Sequence, residues 1–185
     1  AETHAFLSQM YRGVVGHLTL TALPPRKPNT TPSRHIDLRH PSALEAGIAG
    51  LLRLNADGWG AVYSVATRRR DLGATRRGTI QDMGALPALF VDIDTEPEIA
   101  LARLEVYRHP PSAVVLSGGG VHAYWWLETA TSDWMWAGAA LRDLAAALDA
   151  DRTQPAGAMR LPGSINTKPG RDGARCRLWS LTDRR

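Results

Sequence analysis

The stretch FVDID, Phe90 to Asp94, places two aspartates two residues apart at the end of an apolar run. Side chains alternate across a β-strand, so Asp92 and Asp94 project from one face while Val91 and Ile93 fill the other. Two carboxylates on one face can share divalent ions, and oxygen ligands suit the hard cations Mg²⁺ and Mn²⁺. The alternative is that the two aspartates only cap the helix that follows, which is the more common situation for an isolated Asp-x-Asp.

The sequence on either side of this pair predicts strands and a helix. Leu86–Asp94 reads as a mostly buried strand. Thr95–Glu98 (TEPE) has the form of a capping box with proline in the first turn, which predicts a helix to about Tyr107. Ser112–Ser117 and Val121–Glu128 flank three glycines and predict a β-hairpin.

The rest of the chain alternates between helical and strand patterns. The predicted elements are a short helix-like start, a strand at 17–23, a proline-rich loop at 24–33, a helix at 41–54, a break at 55–60, a strand at 61–67, a long helix from 131 to about 148, and short strands at 158–161 and 175–181. Strands and helices mix without strict βαβ alternation, which favours an α+β fold.

Length and composition limit the class of protein. With 185 residues and 44% hydrophobic content, the chain can bury one sizeable core, or two small subdomains sharing a cleft. We therefore expect residues 1–185 to form a single catalytic domain. The lone Cys176 excludes a disulfide framework and a cysteine-based zinc site, which favours a reducing, cytoplasmic setting. The uncharged stretch 110–127 contains prolines and three glycines, which argues against a membrane span.

The charge pattern favours contact with phosphate. The net charge is +4 and the pI about 9.7, and nearly all the positive charge is arginine, with lysines only at 27 and 168. Arginine's planar fork suits phosphate, and a pI above 9 is typical of nucleic-acid binders. Two basic clusters are candidates for contact with a nucleic-acid backbone: Arg12, Arg26, Lys27 and Arg34, and then Arg68, Arg69, Arg70, Arg76 and Arg77. The alternatives are solvated loops and a composition set by a GC-rich genome.

A second motif is SGGGVHAYWW, Ser117 to Trp126. A glycine-rich turn lets backbone amides approach phosphate closely. The strand after it places His122, Tyr124 and Trp126 on one face, and His122 is the polar member that could reach a triphosphate. The alternatives are a plain turn and a histidine that is satisfied within the core.

A third motif is MRLPGSINTKPG, Met159 to Gly170. Arg160 and Lys168 offer charge-assisted hydrogen bonds to phosphates, and Asn166 can orient a sugar or base. Asp149 and Asp151 lie just upstream, and either could complete a metal site. Taken alone, this segment is also an ordinary polar loop.

Together and in this order, the three motifs resemble the archaeo-eukaryotic primase superfamily, especially the primase-polymerases of phages and plasmids. In that family a strand with hydrophobic-Asp-hydrophobic-Asp, a glycine-rich turn leading to a histidine, and a later acidic residue form motifs one to three. Here these look like Asp92 and Asp94, then His122, then Asp149 or Asp151, of which we prefer Asp151. The resemblance covers roughly residues 40 to 180.

The resemblance implies an α+β fold with an N-terminal α/β unit, a unit resembling an RNA-recognition motif, and the active site between them. It implies that Asp92, Asp94 and Asp151 hold Mg²⁺ or Mn²⁺. The residues implied to bind the nucleotide are Ser117, Gly119, Gly120, His122, Arg160, Asn166 and Lys168. Many relatives have Ser-x-His at motif two, but Gly120 stands two before the histidine here, so a serine contact would have to come from Ser117 or be replaced by a backbone amide.

The expected function is that of a DNA primase-polymerase, which joins nucleotides from nucleoside triphosphates on a single-stranded DNA template, with a primer as a further partner. Relatives commonly carry a helical domain after the core, which we do not expect in residues 1–185; that domain or a helicase would be an additional partner. One rival is a non-catalytic single-strand-binding module of the same fold, although carboxylates beside DNA phosphates would weaken a pure binder. A nickase with paired histidines is disfavoured because the chain has no His-x-His.

Overall fold

A computed structural model describes residues 2–25, 31–171 and 173–185 of the chain. In these residues the elements are α1 (Glu2–Met10), β1 (His17–Leu23), β2 (Ser33–Asp37), α2 (Pro41–Ala56), β3 (Gly60–Ser64), a 3-10 turn (Ile80–Asp82), β4 (Leu86–Ile93), α3 (Pro97–Val106), β5 (Ala113–Leu116), β6 (Val121–Thr131), α4 (Trp134–Leu148), β7 (Ala158–Arg160) and β8 (Arg177–Leu181).

The eight described strands form two antiparallel sheets of four. The first sheet has the order β2-β1-β3-β7 and the second has the order β4-β6-β5-β8. This confirms the predicted α+β class. The two short strands predicted near the C-terminus exist, but β7 belongs to the first sheet and β8 to the second. The segment 161–176 therefore crosses from one sheet to the other.

A shared hydrophobic core joins the two sheets. Phe6 of α1 lies edge-on to Tyr63 of the first sheet and to Tyr124 of the second, with ring centroids 5.9 and 5.0 Å away. All three rings are buried. On the opposite face of β4, Val91 and Ile93 belong to a second core that includes residues of α3 and α4. The predicted division of the FVDID strand into an apolar face and an aspartate face is thus present.

Most predicted elements are confirmed, with shifts of a few residues. The strand predicted at 17–23 matches β1. Helix α2 ends two residues after its predicted end, and β3 ends three residues before its predicted end. Helix α4 begins at Trp134 because the side chain of Asp133 accepts a hydrogen bond from the backbone N–H of Trp136, which caps the helix there. Strand β2 was not predicted.

The capping box predicted at Thr95–Glu98 is wrong. Helix α3 begins at Pro97, and its N-cap residue is Glu96, whose side chain makes no capping hydrogen bond. Pro97 suits this start, since its fixed backbone angle fits the first helical turn and it has no N–H to leave unpaired.

The interpretation of Arg68 as a phosphate contact is also wrong. Arg68 is 1% exposed, and its guanidinium donates hydrogen bonds to the carbonyl oxygens of Ala66 and Arg77 and to the hydroxyl of Ser64. The buried Arg68 side chain therefore holds together the loop that follows β3. The other arginines of that cluster are exposed, namely Arg69, Arg70, Arg76 and Arg77. Arg26 and Lys27 lie outside the described residues.

Within the described ranges, none of the helices has the length and apolar character that crossing a membrane requires.

Candidate active site

The pairing of β4 with β6 brings the first two motifs together. Asp92 and His122 are direct partners in the register of the two strands. The imidazole Nε2 of His122 lies 3.6 Å from Oδ1 of Asp92. The His122 side chain is buried, whereas the Asp92 side chain is 39% exposed. Asp94 follows the last residue of β4 and lines the same cleft.

Burial and neighbouring charges shift the pKa values of both groups. The pKa of Asp92 is raised to about 6 by burial first, and then by the negative charges of Asp94 and Asp151. Burial, assisted by the positive charge of Arg160, lowers the pKa of His122 to about 3. The imidazole is therefore neutral at physiological pH, and its contact with Asp92 is not an ion pair. At 3.6 Å it is also longer than a hydrogen bond.

Of the two candidates for the third acidic residue, Asp151 lies beside Asp92. The backbone N–H of Asp151 donates to the carbonyl oxygen of Asp92 at 2.8 Å, in an isolated antiparallel bridge. Asp149 ends α4 in a left-handed conformation with φ of 49°. Its exposed carboxylate pairs with Arg103 of α3 at 3.0 Å, so it is engaged away from the cleft.

The three glycines of the β5–β6 turn allow close packing of the segments around the site. A Cβ atom on Gly120 would collide with the carbonyl oxygen of Ile93 at the end of β4. Gly118 has φ of +76°, and a Cβ there would lie 2.8 Å from the carbonyl oxygen of Ala174. A Cβ on Gly119 would lie 2.6 Å from the guanidinium carbon of Arg171. The structure thus supplies a packing reason for each glycine.

Asn166 joins the third motif to this turn. Its amide nitrogen lies 3.2 and 3.1 Å from the carbonyl oxygens of Ser117 and Gly118, to which it donates, and its amide oxygen accepts from the N–H of Lys168 at 3.1 Å. The residue is 3% exposed. Both ends of the amide are used within the protein, so Asn166 positions Lys168 and the turn.

A polar cleft results from these contacts. Its lining residues are Asp92, Asp94, Ser117, Gly119, His122, Arg160, Asn166, Lys168 and Arg171. Arg160 comes from β7 of the first sheet, whereas Asp92 and His122 come from the second, so the cleft lies at the junction of the two sheets. The Nε of Arg160 is buried and has no hydrogen-bond partner among the described residues.

Arg171 is a cleft residue that the sequence did not single out. Its guanidinium donates to Oδ1 of Asp94 at 3.0 Å. The third motif was read as ending at Gly170, one residue earlier. The sequence does show a further arginine just after Gly170. That Arg171 lies near Asp94 depends on how segment 161–176 crosses between the sheets, which the sequence does not show.

Asp92 also lies on the wall of a second cavity, of about 380 Å³. The other residues that line this cavity are Phe90, Asp151, Arg152, Thr153, Gln154, Ala156, Gly157, Ala158 and Met159. Asp92 therefore lines both the polar cleft and a larger cavity that Asp151 also lines.

The donor chemistry of this region fits a divalent cation. Asp92, Asp94 and Asp151 are hard oxygen ligands, and the raised pKa of Asp92 reports the mutual repulsion of their charges as well as burial. In residues 2–25, 31–171 and 173–185, no three His, Cys, Asp or Glu side chains lie close enough to form a ready-made metal site. Asp94 instead contacts Arg171.

No protein-family model and no curated protein sequence matches the chain. Solved structures with the same fold include the archaeo-eukaryotic primase (AEP) domain of the cyanophage S-2L primase-polymerase, with a TM-score of 0.70 and 19% identity over 98% of this chain and 90% of that one. The catalytic domain of primase Repb' in complex with initiator DNA gives a TM-score of 0.66 and 17% identity, over 100% of this chain and 87% of that one. The likeness extends beyond residues 40 to 180 to nearly the whole chain, and at these identities it shows the fold.

Proposed function

We propose that this chain, which has the fold of the archaeo-eukaryotic primases, is a DNA primase-polymerase that transfers nucleotides from nucleoside triphosphates in a template-directed, divalent-metal-dependent reaction. The observation that carries the proposal is that Asp92 lines both the polar cleft and the second cavity. Nucleotidyl transfer needs a triphosphate on one side of the carboxylates and an attacking 3′-hydroxyl on the other.

The polar cleft suits the triphosphate. Arg160 and Lys168 supply positive charge, and the unpartnered Nε–H of Arg160 is a donor without an acceptor among the described residues. Charge-assisted hydrogen bonds to phosphate satisfy such donors strongly. His122 is neutral and buried, so it can donate one N–H to a phosphate oxygen without adding charge. The Tyr124 hydroxyl lies 3.4 Å from Nδ1 of this imidazole and helps to orient it.

The three carboxylates would hold Mg²⁺ or Mn²⁺. Asp92 and Asp151 are tied together through the backbone, and Asp94 is one residue beyond the end of β4. Bound there, the ions would activate the attacking hydroxyl and neutralise the charge of the leaving pyrophosphate. The protein contributes a rigid strand that fixes Asp92. It also contributes a packed β5–β6 turn that keeps His122 and the polar cleft next to Asp92.

The second cavity suits the primer end, and the exposed arginines suit the DNA backbone. Its polar lining from Asp151 to Gln154 adjoins Asp92, where a 3′-hydroxyl must arrive. The exposed side chains that could hold template or primer phosphates are Arg34, Arg69, Arg70, Arg76 and Arg77. Proteins that track single strands use such positively charged surfaces. A helicase or a helical domain would be a further partner.

Primer extension tests the proposal. A primed single-stranded template with labelled deoxynucleotides or ribonucleotides, and Mg²⁺ or Mn²⁺, should give template-dependent products with the wild-type chain. Asp92→Asn keeps the side-chain size but removes the charge, and we expect it to lower incorporation at least about 100-fold.

Asp149→Asn is the matched control, since it removes the same charge from a carboxylate paired with Arg103; it should retain most of the activity. Equal activity of Asp92→Asn and wild type would contradict the metal assignment. A wild-type chain that binds single-stranded DNA but incorporates no nucleotide under any of these conditions would favour a non-catalytic binding module.

A further inference from the structure

We propose that Arg171 is a triphosphate-binding residue that pairs with Asp94 until nucleotide and metal arrive, and then transfers to the phosphates. The proposal rests on the function proposed above. It assigns a role to a residue outside the three motifs. It also implies that the Arg171–Asp94 contact breaks on ligand binding, when Asp94 binds metal and Arg171 binds phosphate.

The position of Arg171 is built into the fold. The guanidinium lies 3.0 Å from Oδ1 of Asp94, and that carboxylate follows directly on the strand that carries Asp92. Gly119 leaves the space that the guanidinium occupies, because a Cβ there would lie 2.6 Å from its central carbon. A residue with any larger side chain at position 119 would displace Arg171.

The backbone around Arg171 is anchored while its side chain is partly exposed. Its N–H donates to the carbonyl oxygen of Lys168 at 3.2 Å, and its own carbonyl oxygen accepts from the N–H of Ala174 at 2.9 Å. Asn166 ties the same loop to the β5–β6 turn. The side chain is 32% exposed. A rotation of this long side chain can therefore change its partner without moving the loop.

The two partners of Arg171 compete. A carboxylate oxygen of Asp94 that accepts from a guanidinium at 3.0 Å is engaged where it would otherwise bind a cation. The polar cleft has a volume of about 60 Å³, room for only a few water molecules. A triphosphate must therefore open the cleft, and Arg171 is a partly exposed cation at its rim, next to the exposed Lys168. Once Asp94 binds metal, the released guanidinium faces incoming phosphate.

This arrangement predicts opposite effects on two ligands. The guanidinium opposes binding of a metal ion alone, both by occupying Asp94 and by its positive charge. It favours binding of the metal–nucleotide complex, in which it gains a charge-assisted phosphate contact. A residue that merely supports the fold would change the affinity for both ligands in the same direction.

The test compares Mn²⁺ alone with Mn²⁺ plus a non-hydrolysable deoxynucleoside triphosphate, using calorimetry or the electron paramagnetic resonance signal of free Mn²⁺. Arg171→Ala should bind Mn²⁺ alone several-fold more tightly and the Mn²⁺–nucleotide complex about tenfold more weakly. Gly119→Ala should act in the same two directions, since it displaces the guanidinium without deleting it. Arg175→Ala removes the same charge from an exposed residue of the same segment and should change neither affinity.

The outcomes separate the two proposals. Wild-type protein that binds neither Mn²⁺ nor nucleotide would overturn the proposed function and this inference with it. Wild-type binding of both, with Arg171→Ala unchanged or weaker for both, would overturn only the role of Arg171. Thermal denaturation of each variant identifies the folded samples from which these affinities are taken.

Discussion

Two segments of this chain that carry several cationic residues, 68–77 and 160–171, do different things in the fold. In the loop after β3, Arg68 is buried and donates to two carbonyl oxygens and a hydroxyl. In the segment from Arg160 to Arg171, the cations converge on the carboxylates of Asp92 and Asp94. The density of arginines in a segment therefore does not show where each guanidinium lies, because that depends on the acceptors that the fold places around it.

The largest effect that separates the two segments should be on stability. Arg68→Ala removes the donor from the buried carbonyl oxygen of Ala66 and from the part-buried carbonyl oxygen of Arg77 and leaves a void, so we expect a loss of about 4 kcal/mol in the free energy of unfolding. Denaturant titration measures it, with the exposed Arg70→Ala as control, expected within about 0.5 kcal/mol of wild type. A stable Arg68→Ala variant with weakened DNA binding would assign Arg68 to the DNA surface after all.

The next effect should be on nucleotide affinity. Arg160→Ala removes the buried Nε–H donor that has no hydrogen-bond partner among the described residues, and we expect about 100-fold weaker binding of a nucleoside triphosphate in the presence of Mn²⁺. Arg160→Lys should recover only part of the loss, because an ammonium lacks the bidentate fork. Arg142→Ala on the exposed face of α4 is the control. An Arg160→Ala variant that binds nucleotide normally would remove this arginine from the triphosphate site.

The smallest effect should come from the exposed arginines near Arg68. The double variant Arg70→Ala/Arg77→Ala removes two surface charges, so we expect several-fold weaker binding of single-stranded DNA. The slope of log affinity against log salt should fall by about 1.4, with nucleotide affinity unchanged. Fluorescence anisotropy at several salt concentrations measures both. An unchanged salt slope would show that Arg70 and Arg77 are solvated surface residues that do not contact DNA.

Local patterns predicted much of this architecture. Alternation along a strand depends only on backbone geometry, so the opposite faces of Asp92 and Val91 could be read from FVDID. The same holds for His122 and Tyr124 after the glycines. Helix α2 was predictable because its leucines and isoleucine recur at helical spacing, and β1 because of its β-branched alternation.

What the sequence could not provide depends on the paths of loops and on contacts between distant segments. The partners of Arg68 are only two, four and nine positions away, but the path of the loop that gathers them around the guanidinium has no signal in the sequence. The pairing of Arg171 with Asp94 joins residues that are 77 positions apart. Both depend on the path of a loop, which has no periodicity to read. For the same reason β7 and β8 were predicted as strands but could not be assigned to different sheets.

The most direct test of the account is a crystal structure with Mn²⁺ and a non-hydrolysable deoxynucleoside triphosphate, with the manganese located by its anomalous scattering. We expect manganese at Asp92, Asp94 and Asp151, and phosphates within hydrogen-bond distance of Arg160, Lys168 and Arg171. Manganese or nucleotide bound elsewhere at saturating concentration, with this cleft unchanged and the Arg171–Asp94 pair intact, would contradict it.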